Sequence, residues 1–346
     1  MMKELKIAVS GINAVDNPGP GVGVARSLKE DPDLNVKVIG LAYDAMEPGI
    51  YLDWLIDKTF ILPYPSSGKD ALLERLAYIK DSYGLDFVIP NLDSELPIYT
   101  KYTKEIEDLG IKVFVPTESQ YKLRAKDKLL QVAGKVKIDL PKTAVVSSAE
   151  ELIKEVDNIG LPVMVKGAYY KAERAYTTQE AMSHFHKISA EWGYPIILQE
   201  VVKGEEMNVV GVGDGEGNLL GKLGLKKMWI TSLGKIWTGV SIKNEMMLNA
   251  ASNFVKEYKW KGPFELECIV DKDKVYLIEI NPRFPAWSYF ATGCGINLPA
   301  NMVKKAFDLP FELDKDYEAG KLYVRYTYET ITDMSTFQNI ITKGEN

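Results

Sequence analysis

The stretch VYLIEINPRFPAW, residues 275–287, places residue types that bind metal ions and phosphate at the end of a predicted buried strand. Its apolar, β-branched run fits a pleated surface, and it ends at Pro282, which cannot continue ladder pairing. Glu279 and Asn281 are two positions apart and therefore share one face of the strand. Together they predict an oxygen-ligand site, and Arg283 beside them can bind a phosphoryl group or a carboxylate through two hydrogen bonds.

The preceding stretch, FELECIVDKDKVYLIEIN, predicts a hairpin that turns at DKDK. If the loop holds three residues, Glu267 lies across from Glu279 on the same face, whereas a two-residue loop places it on the opposite face. In the first case two carboxylates and an amide converge, which suits Mg²⁺ with phosphates and water as its other ligands. The alternative is a solvated strand end with an arginine salt bridge, and this stretch alone favours neither interpretation.

Composition narrows the classes of function. The 346 residues are 46% hydrophobic and 26% charged, as expected for an ordinary globular chain with two to three domains. The net charge of −6 argues against broad nucleic-acid binding. No run approaches the roughly 20 apolar residues of a membrane span, and MMKELKIAVSG lacks the pattern of a signal peptide. We therefore expect no nucleic-acid partner and no membrane partner.

Cysteine and histidine are scarce in this chain. Cys268 and Cys294 cannot form a disulfide framework, so a cytoplasmic location is expected. The two histidines, His184 and His186, lie in a polar helix-like context and are interpreted as surface residues, which argues against a histidine-based zinc site.

Three regions differ in their periodicity. Residues 1–120 alternate short apolar strands with amphipathic helices, which predicts an α/β domain whose parallel sheet has helices on both sides. Residues 121–202 predict a small α+β domain. Residues 203–346 contain several successive strands, a hairpin turn at DGEGN and a further strand in LYVRYTYET. The predicted fold class is therefore α/β plus α+β.

Five motifs in order, AKDKLL, VMVKGA, LQEVVKGEEMNV, FELECIV and IEINPR, resemble the ATP-grasp superfamily over roughly residues 120–300. The sequence NPR followed by ATGCGINLP is similar to carbamoyl-phosphate synthase and its single-copy relatives. The resemblance implies an N-terminal Rossmann-like domain followed by two α+β subdomains that hold a nucleotide between them.

The resemblance also implies roles for individual residues. The residues implied to bind ATP are Lys128, Lys166, Lys171, Arg174, Glu200, Val201, Val202 and Glu206. Those implied to bind Mg²⁺, for which Mn²⁺ can substitute, are Glu267, Glu279 and Asn281, and the implied catalytic residues are Arg283 and Lys226. Lys166 has the strongest case, because a lysine inside VMVKG otherwise brings a charge into a buried strand.

Two loops are interpreted as substrate-binding segments. GINAVDNPGPGVGVARSLKE, with Asn17 and Gly21, resembles a dinucleotide fingerprint, but its spacing is GxGxGxxR rather than GxGxxG, and the family resemblance implies a substrate-side wall. VIPNLDSELP places Asp93 and Glu95 just after a strand, where a capped helix start is an equally good interpretation. Trp237 is a further candidate for substrate contact.

The lid segment GAYYKAERAY departs from the family pattern, because no glycine follows Gly167. Lys171 and Arg174 are then expected to supply side-chain cations to the phosphates. The alternative is that the altered lid marks a chain that binds ATP without efficient phosphoryl transfer.

The resemblance implies an ADP-forming carboxylate–amine ligase that acts through an acyl phosphate on small molecules, amino acids or peptides. The first alternative is phosphorylation of carbonate or carbamate, as in carbamoyl-phosphate synthase. Others are a non-catalytic module that binds ATP or peptides and an NAD-dependent oxidoreductase. A homodimer is expected only because dimers are the commonest oligomers.

Overall fold

The computed structural model describes residues 3–14, 18–125, 128–167, 171–231, 234–313 and 316–346. These residues form two compact units. The first unit contains residues 1–124, 207–267 and 280–346, and the second contains residues 125–206 and 268–279. The first and third predicted regions therefore lie mostly in one unit, and the tip of the hairpin at 268–279 is grouped with the second unit.

The first part of the chain forms a five-stranded parallel sheet in the order β3-β2-β1-β4-β5. Its strands are β1 (Leu5–Val9), β2 (Val36–Ala42), β3 (Lys58–Ile61), β4 (Phe87–Ile89) and β5 (Lys112–Val113). Its helices are α1 (Pro20–Lys29), α2 (Lys69–Tyr83), α3 (Leu96–Lys101), α4 (Thr103–Asp108) and α5 (Glu118–Tyr121).

Both faces of this sheet are covered, as the apolar runs predict. Ile7 of β1 belongs to a core cluster with Leu28 of α1, whereas its neighbour Ala8 belongs to a second cluster with Leu76 of α2. The strand order reverses direction at β1, and in open sheets of this kind ligands bind beyond the carboxyl ends of the strands near such a point.

The second unit contains a four-stranded antiparallel sheet in the order β6-β9-β7-β8. Its elements are α6 (Leu129–Val136), β6 (Thr143–Val146), α7 (Ala149–Ile159), β7 (Val163–Gly167), β8 (Ala172–Ala175), α8 (Thr178–Trp192) and β9 (Ile196–Glu200). Ser148 caps α7, because its side chain accepts a hydrogen bond from the backbone N–H of Glu151. Val165 and Phe185 lie in the core of this unit.

The remaining strands form a six-stranded sheet in the order β14-β13-β10-β11-β12-β15. Its strands are β10 (Glu205–Asp214), β11 (Leu219–Ile230), β12 (Ile236–Ile242), β13 (Lys261–Asp271), β14 (Lys274–Asn281) and β15 (Leu322–Val324). The helices of this part are α9 (Glu245–Tyr258), α10 (Tyr289–Gly293), α11 (Leu298–Ala306) and α12 (Met334–Lys343).

The predicted turn at DGEGN connects β10 and β11. Asp214 stabilises it, since Oδ1 accepts hydrogen bonds from the backbone N–H groups of Glu216, Gly217 and Asn218. The strand predicted in LYVRYTYET is much shorter than expected: pairing with β12 covers only residues 322–324, and the segment after Val324 has no strand structure.

Candidate functional site

The acid–amide cluster of the first unit consists of Glu265, Glu267 and Asn281. The Asn281 amide Nδ2 donates to Glu265 Oε2 at 3.0 Å and to Glu267 Oε1 at 2.9 Å. The loop between β13 and β14 holds two residues, Lys272 and Asp273, yet Asn281 lies on the same side as both carboxylates. A two-residue loop is the case in which Glu267 and Glu279 are expected on opposite faces, and the relation of Glu267 to Glu279 stays a prediction.

Glu265 is the member of the cluster that sequence reasoning missed. Only 3% of it is exposed, and Oε1 accepts hydrogen bonds from Asn208 Nδ2 at 2.6 Å and Trp287 Nε1 at 2.7 Å. The signal was available in FELEC, because Glu265 and Glu267 are two positions apart on β13 and share a face. A buried carboxylate satisfied by three side-chain donors holds those donors in place.

The two carboxylates of the cluster differ in their protonation. Burial, followed by the charge of Glu267, raises the pKa of Glu265 above its ordinary value. Burial acts in the same direction on Glu267, but the charge and hydrogen bond of Lys227 and the charge of Arg283 hold the pKa of Glu267 below its ordinary value. Glu267 is therefore the anionic member of the pair at neutral pH.

Lys227 is the lysine that the structure places on this cluster. Its Nζ lies 3.1 Å from Glu267 Oε2, and its side chain is only 10% exposed. Lys226, the predicted catalytic lysine, is the preceding residue on β11, so strand alternation directs it to the opposite face, where it pairs with Met207 of β10. The catalytic role of Lys226 stays a prediction that this geometry does not support.

Arg283 is held by Asp93, a residue that was predicted to bind substrate. Arg283 Nε and Nη2 lie 2.9 and 2.8 Å from Asp93 Oδ2, and Arg124 Nη1 lies 2.9 Å from Asp93 Oδ1. Burial opposes ionisation of Asp93, but the two guanidinium groups hold its pKa below the ordinary value. Both oxygens of Asp93 are thus bonded to arginines and orient them, and substrate binding by Asp93 stays a prediction.

Glu95, the second predicted substrate residue of this loop, is enclosed by hydrogen-bond donors of the protein. It is fully buried, and it accepts hydrogen bonds from the hydroxyls of Ser10 and Tyr43 and from the backbone N–H groups of Asn91 and Leu92. Burial raises its pKa. Substrate contact by Glu95 stays a prediction that this burial does not support. In the alternative, a capped helix start, Glu95 does occupy the position before α3, but its side chain makes no capping hydrogen bond to that helix.

The remaining residues predicted to bind substrate are Asn17, Gly21 and Trp237. Asn17 lies outside the described residues. Gly21 packs α1 against the end of β1, because a Cβ atom there would lie 2.1 Å from the Ser10 carbonyl oxygen, and its N–H donates to the Gly11 carbonyl at 2.9 Å. This backbone N–H therefore already has a hydrogen-bond partner within the protein. Trp237 is half-buried on β12, and its carbonyl accepts from the Arg325 backbone N–H at 3.0 Å.

The second unit contains the residues predicted to bind ATP. Lys166 is half-buried on β7, and its Nζ donates to Gln199 Oε1 of β9 at 2.6 Å; both line a small cavity. At the end of β9, Glu200 accepts from the backbone N–H of Lys142 at 3.1 Å. Val201 and Val202 follow as half-buried residues outside any strand.

The other predicted ATP-binding side chains lie at the surface of the second unit. Lys128 precedes α6, Arg174 lies on β8, and Glu206 lies near the start of β10; all three are exposed. Lys171 forms an exposed ion pair with Glu191, in which Nζ lies 3.8 Å from Oε2. Glu279, on the part of β14 that is grouped with this unit, stays a predicted metal ligand.

Among the described residues, no group of three or more His, Cys, Asp and Glu side chains is arranged to hold a metal ion. An amide-containing set such as Glu267, Glu279 and Asn281 is not of that composition. Both cysteines are buried free thiols. Among the described residues, no helix has the length and apolar character that a bilayer crossing requires.

Comparison with known proteins gives matches in sequence and in fold. The profile of a family described as ATP-grasp in the biosynthetic pathway with Ter operon matches residues 194–330. The carbamoyl phosphate synthase large chain of Saccharolobus islandicus is 26% identical over 236 residues, which cover 62% of this chain and 22% of that relative. The chain thus spans much less than two thirds of the length of this relative.

Two solved structures are similar over most of the chain. Biotin carboxylase from Campylobacter jejuni, in a β,γ-ATP complex, has a TM-score of 0.69 at 17% identity, covering 93% of this chain and 74% of that one. The biotin carboxylase domain dimer of 2-oxoglutarate carboxylase from Hydrogenobacter thermophilus, with MgADP, ADP and bicarbonate, has a TM-score of 0.68 at 15% identity and covers 92% and 73%. At these identities the likeness shows the fold.

Proposed function

We propose that this chain, whose residues 194–330 match an ATP-grasp family model and whose fold is similar to that of a biotin carboxylase, is an ATP- and Mg²⁺-dependent ligase that releases ADP. In this proposal ATP phosphorylates a substrate carboxylate, and an amine attacks the acyl phosphate to form a C–N bond. Phosphate leaves in the second step, so each turnover consumes one ATP. The observation that carries the proposal is the acid–amide cluster with an anionic Glu267 beside Lys227 and Arg283.

The donor set of this cluster fits Mg²⁺. Glu267 is ionised, Asn281 supplies an amide group, and such hard oxygen ligands are those that Mg²⁺ prefers. Glu267, Asn281 and Glu279 would hold the ion, and the ion would neutralise phosphate charge. Glu265 supports this set indirectly, because it bonds the Asn281 amide and fixes its position.

The remaining residues are proposed to bind and orient the nucleotide. Lys128 and Lys166 would bind its phosphates, Glu200–Val202 would contact adenine mainly through the backbone, and Glu206 would accept from the ribose hydroxyls. Arg283 would stabilise charge on the transferred phosphoryl group, and Asp93 keeps the guanidinium oriented through Nε and Nη2. Lys171 and Arg174 would supply cations from the lid side.

A second candidate function is phosphorylation of carbonate or carbamate. It is favoured by the match to a carbamoyl phosphate synthase large chain and by the bicarbonate named in one similar structure. Both candidates need the same nucleotide and metal residues, so only the acceptor distinguishes them.

The deciding experiment is release of ADP and phosphate from Mg-ATP, screened against pooled amino acids, dipeptides and bicarbonate. Glu279→Gln serves as the inactive variant, and Glu74→Gln on the exposed face of α2 as the matched control. Release that requires an acid and an amine and disappears only in Glu279→Gln supports the ligase. Repetition with Mn²⁺ tests whether that ion substitutes.

Other outcomes separate the alternatives. Release with bicarbonate alone favours the second candidate. Tight ATP binding without release under any condition contradicts both and favours the non-catalytic module. An absorbance change that depends on a nicotinamide cofactor would favour the alternative of an NAD-dependent oxidoreductase. The proposed homodimer and cytoplasmic location are separate points, and sedimentation of the full chain tests the first.

A further inference from the structure

A cavity of about 400 Å³ lies in the first unit between the start of the chain and its C-terminal segment. We propose that it binds the uncharged aromatic or branched apolar body of a small carboxylate-bearing molecule, whose charged group stays outside the cavity. The inference rests on the proposed function, since it names the class of the carboxylate substrate. The volume is within the range of about 300–1,000 Å³ that is usual for ligand pockets.

The inner wall is formed by segments that follow β1 and β2, at the carboxyl ends of the parallel strands. Ile12 and Gly49 belong to these two segments, and the N–H of Gly49 donates to the Ile12 carbonyl at 3.0 Å. Gly49 permits this close approach, because a Cβ atom there would lie 2.4 Å from that carbonyl oxygen. This is the edge at which parallel α/β sheets bind their ligands.

The lining chemistry selects the class of ligand. None of the 14 described residues that line the cavity carries a charge, although 26% of the chain is charged. A charged group placed inside would lose its hydration without an ionic partner among these residues, which is unfavourable. Asn13, Thr327 and Thr330 supply polar groups that can hydrogen-bond a phenol or an amide.

The outer wall is the segment after β15, which presents aromatic rings to the surroundings. Tyr326 and Tyr328 are 77% and 50% exposed, and their rings stack with centroids 6.3 Å apart at an interplanar angle of 18°. Tyrosine rings with an exposed apolar face favour contact with another aromatic or apolar surface. Tyr326 and Tyr328, which line the cavity, therefore favour an aromatic ligand over a purely polar one.

Arg325 connects this wall to the segment that carries Arg283. The guanidinium Nη1 donates to the Pro18 carbonyl at 2.8 Å, and Nη2 donates to the Ala286 carbonyl. Pro18 lines the cavity, whereas Ala286 lies three residues after Arg283. One buried side chain thus ties the cavity wall to the strand-end segment of the proposed phosphoryl-transfer site.

Direct binding tests the proposal without depending on turnover. Saturation-transfer NMR on the full chain, without nucleotide, is recorded with L-phenylalanine, L-tyrosine, glycyl-L-phenylalanine, L-aspartate and L-lysine. Ala14→Trp and Thr330→Trp narrow the cavity from opposite walls at exposed positions, and Ser66→Trp is the matched control at an exposed site elsewhere. Thermal unfolding of each variant confirms that it is folded.

We expect the aromatic probes to bind and their affinity to fall at least about tenfold in both blocking variants but not in Ser66→Trp. Equal binding of aspartate or lysine, unchanged aromatic binding in both blocking variants, or no aromatic binding at millimolar concentration would each overturn the inference. Glu279→Gln separates it from the ligase proposal, because that variant should lose ADP release and keep the aromatic ligand. Binding without ADP release in any condition would overturn only the ligase.

Discussion

The two units place their predicted site residues in different surroundings. In the first unit, the acid–amide cluster is largely buried and is joined by hydrogen bonds among its own side chains. In the second unit, Lys128, Arg174 and Glu206 are exposed. We infer that folding itself assembles the cluster, so its residues contribute to stability. The exposed residues are expected to contribute little to stability, and their proposed role is to bind a nucleotide.

Glu265→Ala should have the largest effect on stability. It leaves Asn208, Asn281 and Trp287 without their shared acceptor, which should lower the free energy of unfolding by about 3 kcal/mol or more. Denaturant unfolding measures this, with Glu74→Ala on α2 as the control. A loss below about 1 kcal/mol would mean that the cluster is not held by these bonds.

Lys227→Ala compared with Lys226→Ala tests which face of β11 carries the important lysine. Loss of Lys227 leaves Glu267 without its buried cation and should lower the free energy of unfolding by about 2 kcal/mol. Loss of Lys226 should change it by about 0.5 kcal/mol or less. If ADP formation falls more in Lys226→Ala than in Lys227→Ala, the original catalytic prediction is right.

Lys166→Met should separate ligand affinity from stability in the second unit. Removing a cation that is proposed to donate hydrogen bonds to the phosphates should weaken Mg-ATP binding by about 10- to 100-fold. The free energy of unfolding should change by less than about 1 kcal/mol, because Lys166 is only half-buried. Calorimetric titration and denaturant unfolding measure the two effects, and Lys187→Met, exposed on α8, is the control. A large loss in the free energy of unfolding with normal ATP binding would show that Lys166 stabilises the second unit and does not bind the nucleotide.

Asp93→Asn should have a smaller, pH-dependent effect. The two arginines hold the pKa of Asp93 below its ordinary value, so Asp93 contributes stability above the unfolded pKa of about 3.9 and loses it as pH falls through the folded pKa. The variant should be less stable by about 1 kcal/mol at neutral pH, a modest figure because the side chain is 29% exposed.

The difference between wild type and Asp93→Asn should therefore shrink below about pH 4. Denaturant unfolding across pH 2–7 measures it, with circular dichroism as the signal. A difference that stays constant with pH would show that Asp93 does not act through its charge.

Local pattern was sufficient for much of the fold. The apolar runs predicted the parallel strands, and Pro282 marked the end of β14. The two-residue spacing of Glu279 and Asn281 singled out the strand end where the cluster lies. Each of these inferences concerns neighbouring residues, whose relative directions depend only on the period of a helix or strand.

Only the tertiary structure decided which distant residues meet. Asp93 and Arg283 are 190 positions apart, and Asn208 reaches Glu265 from 57 positions away. Lys227 lies beside Glu267, whereas strand alternation directs Lys226 to the opposite face of β11. The sequence by itself determined which side chains share a face within one strand. Register and packing between strands determined their partners, because those depend on contacts that no local period encodes.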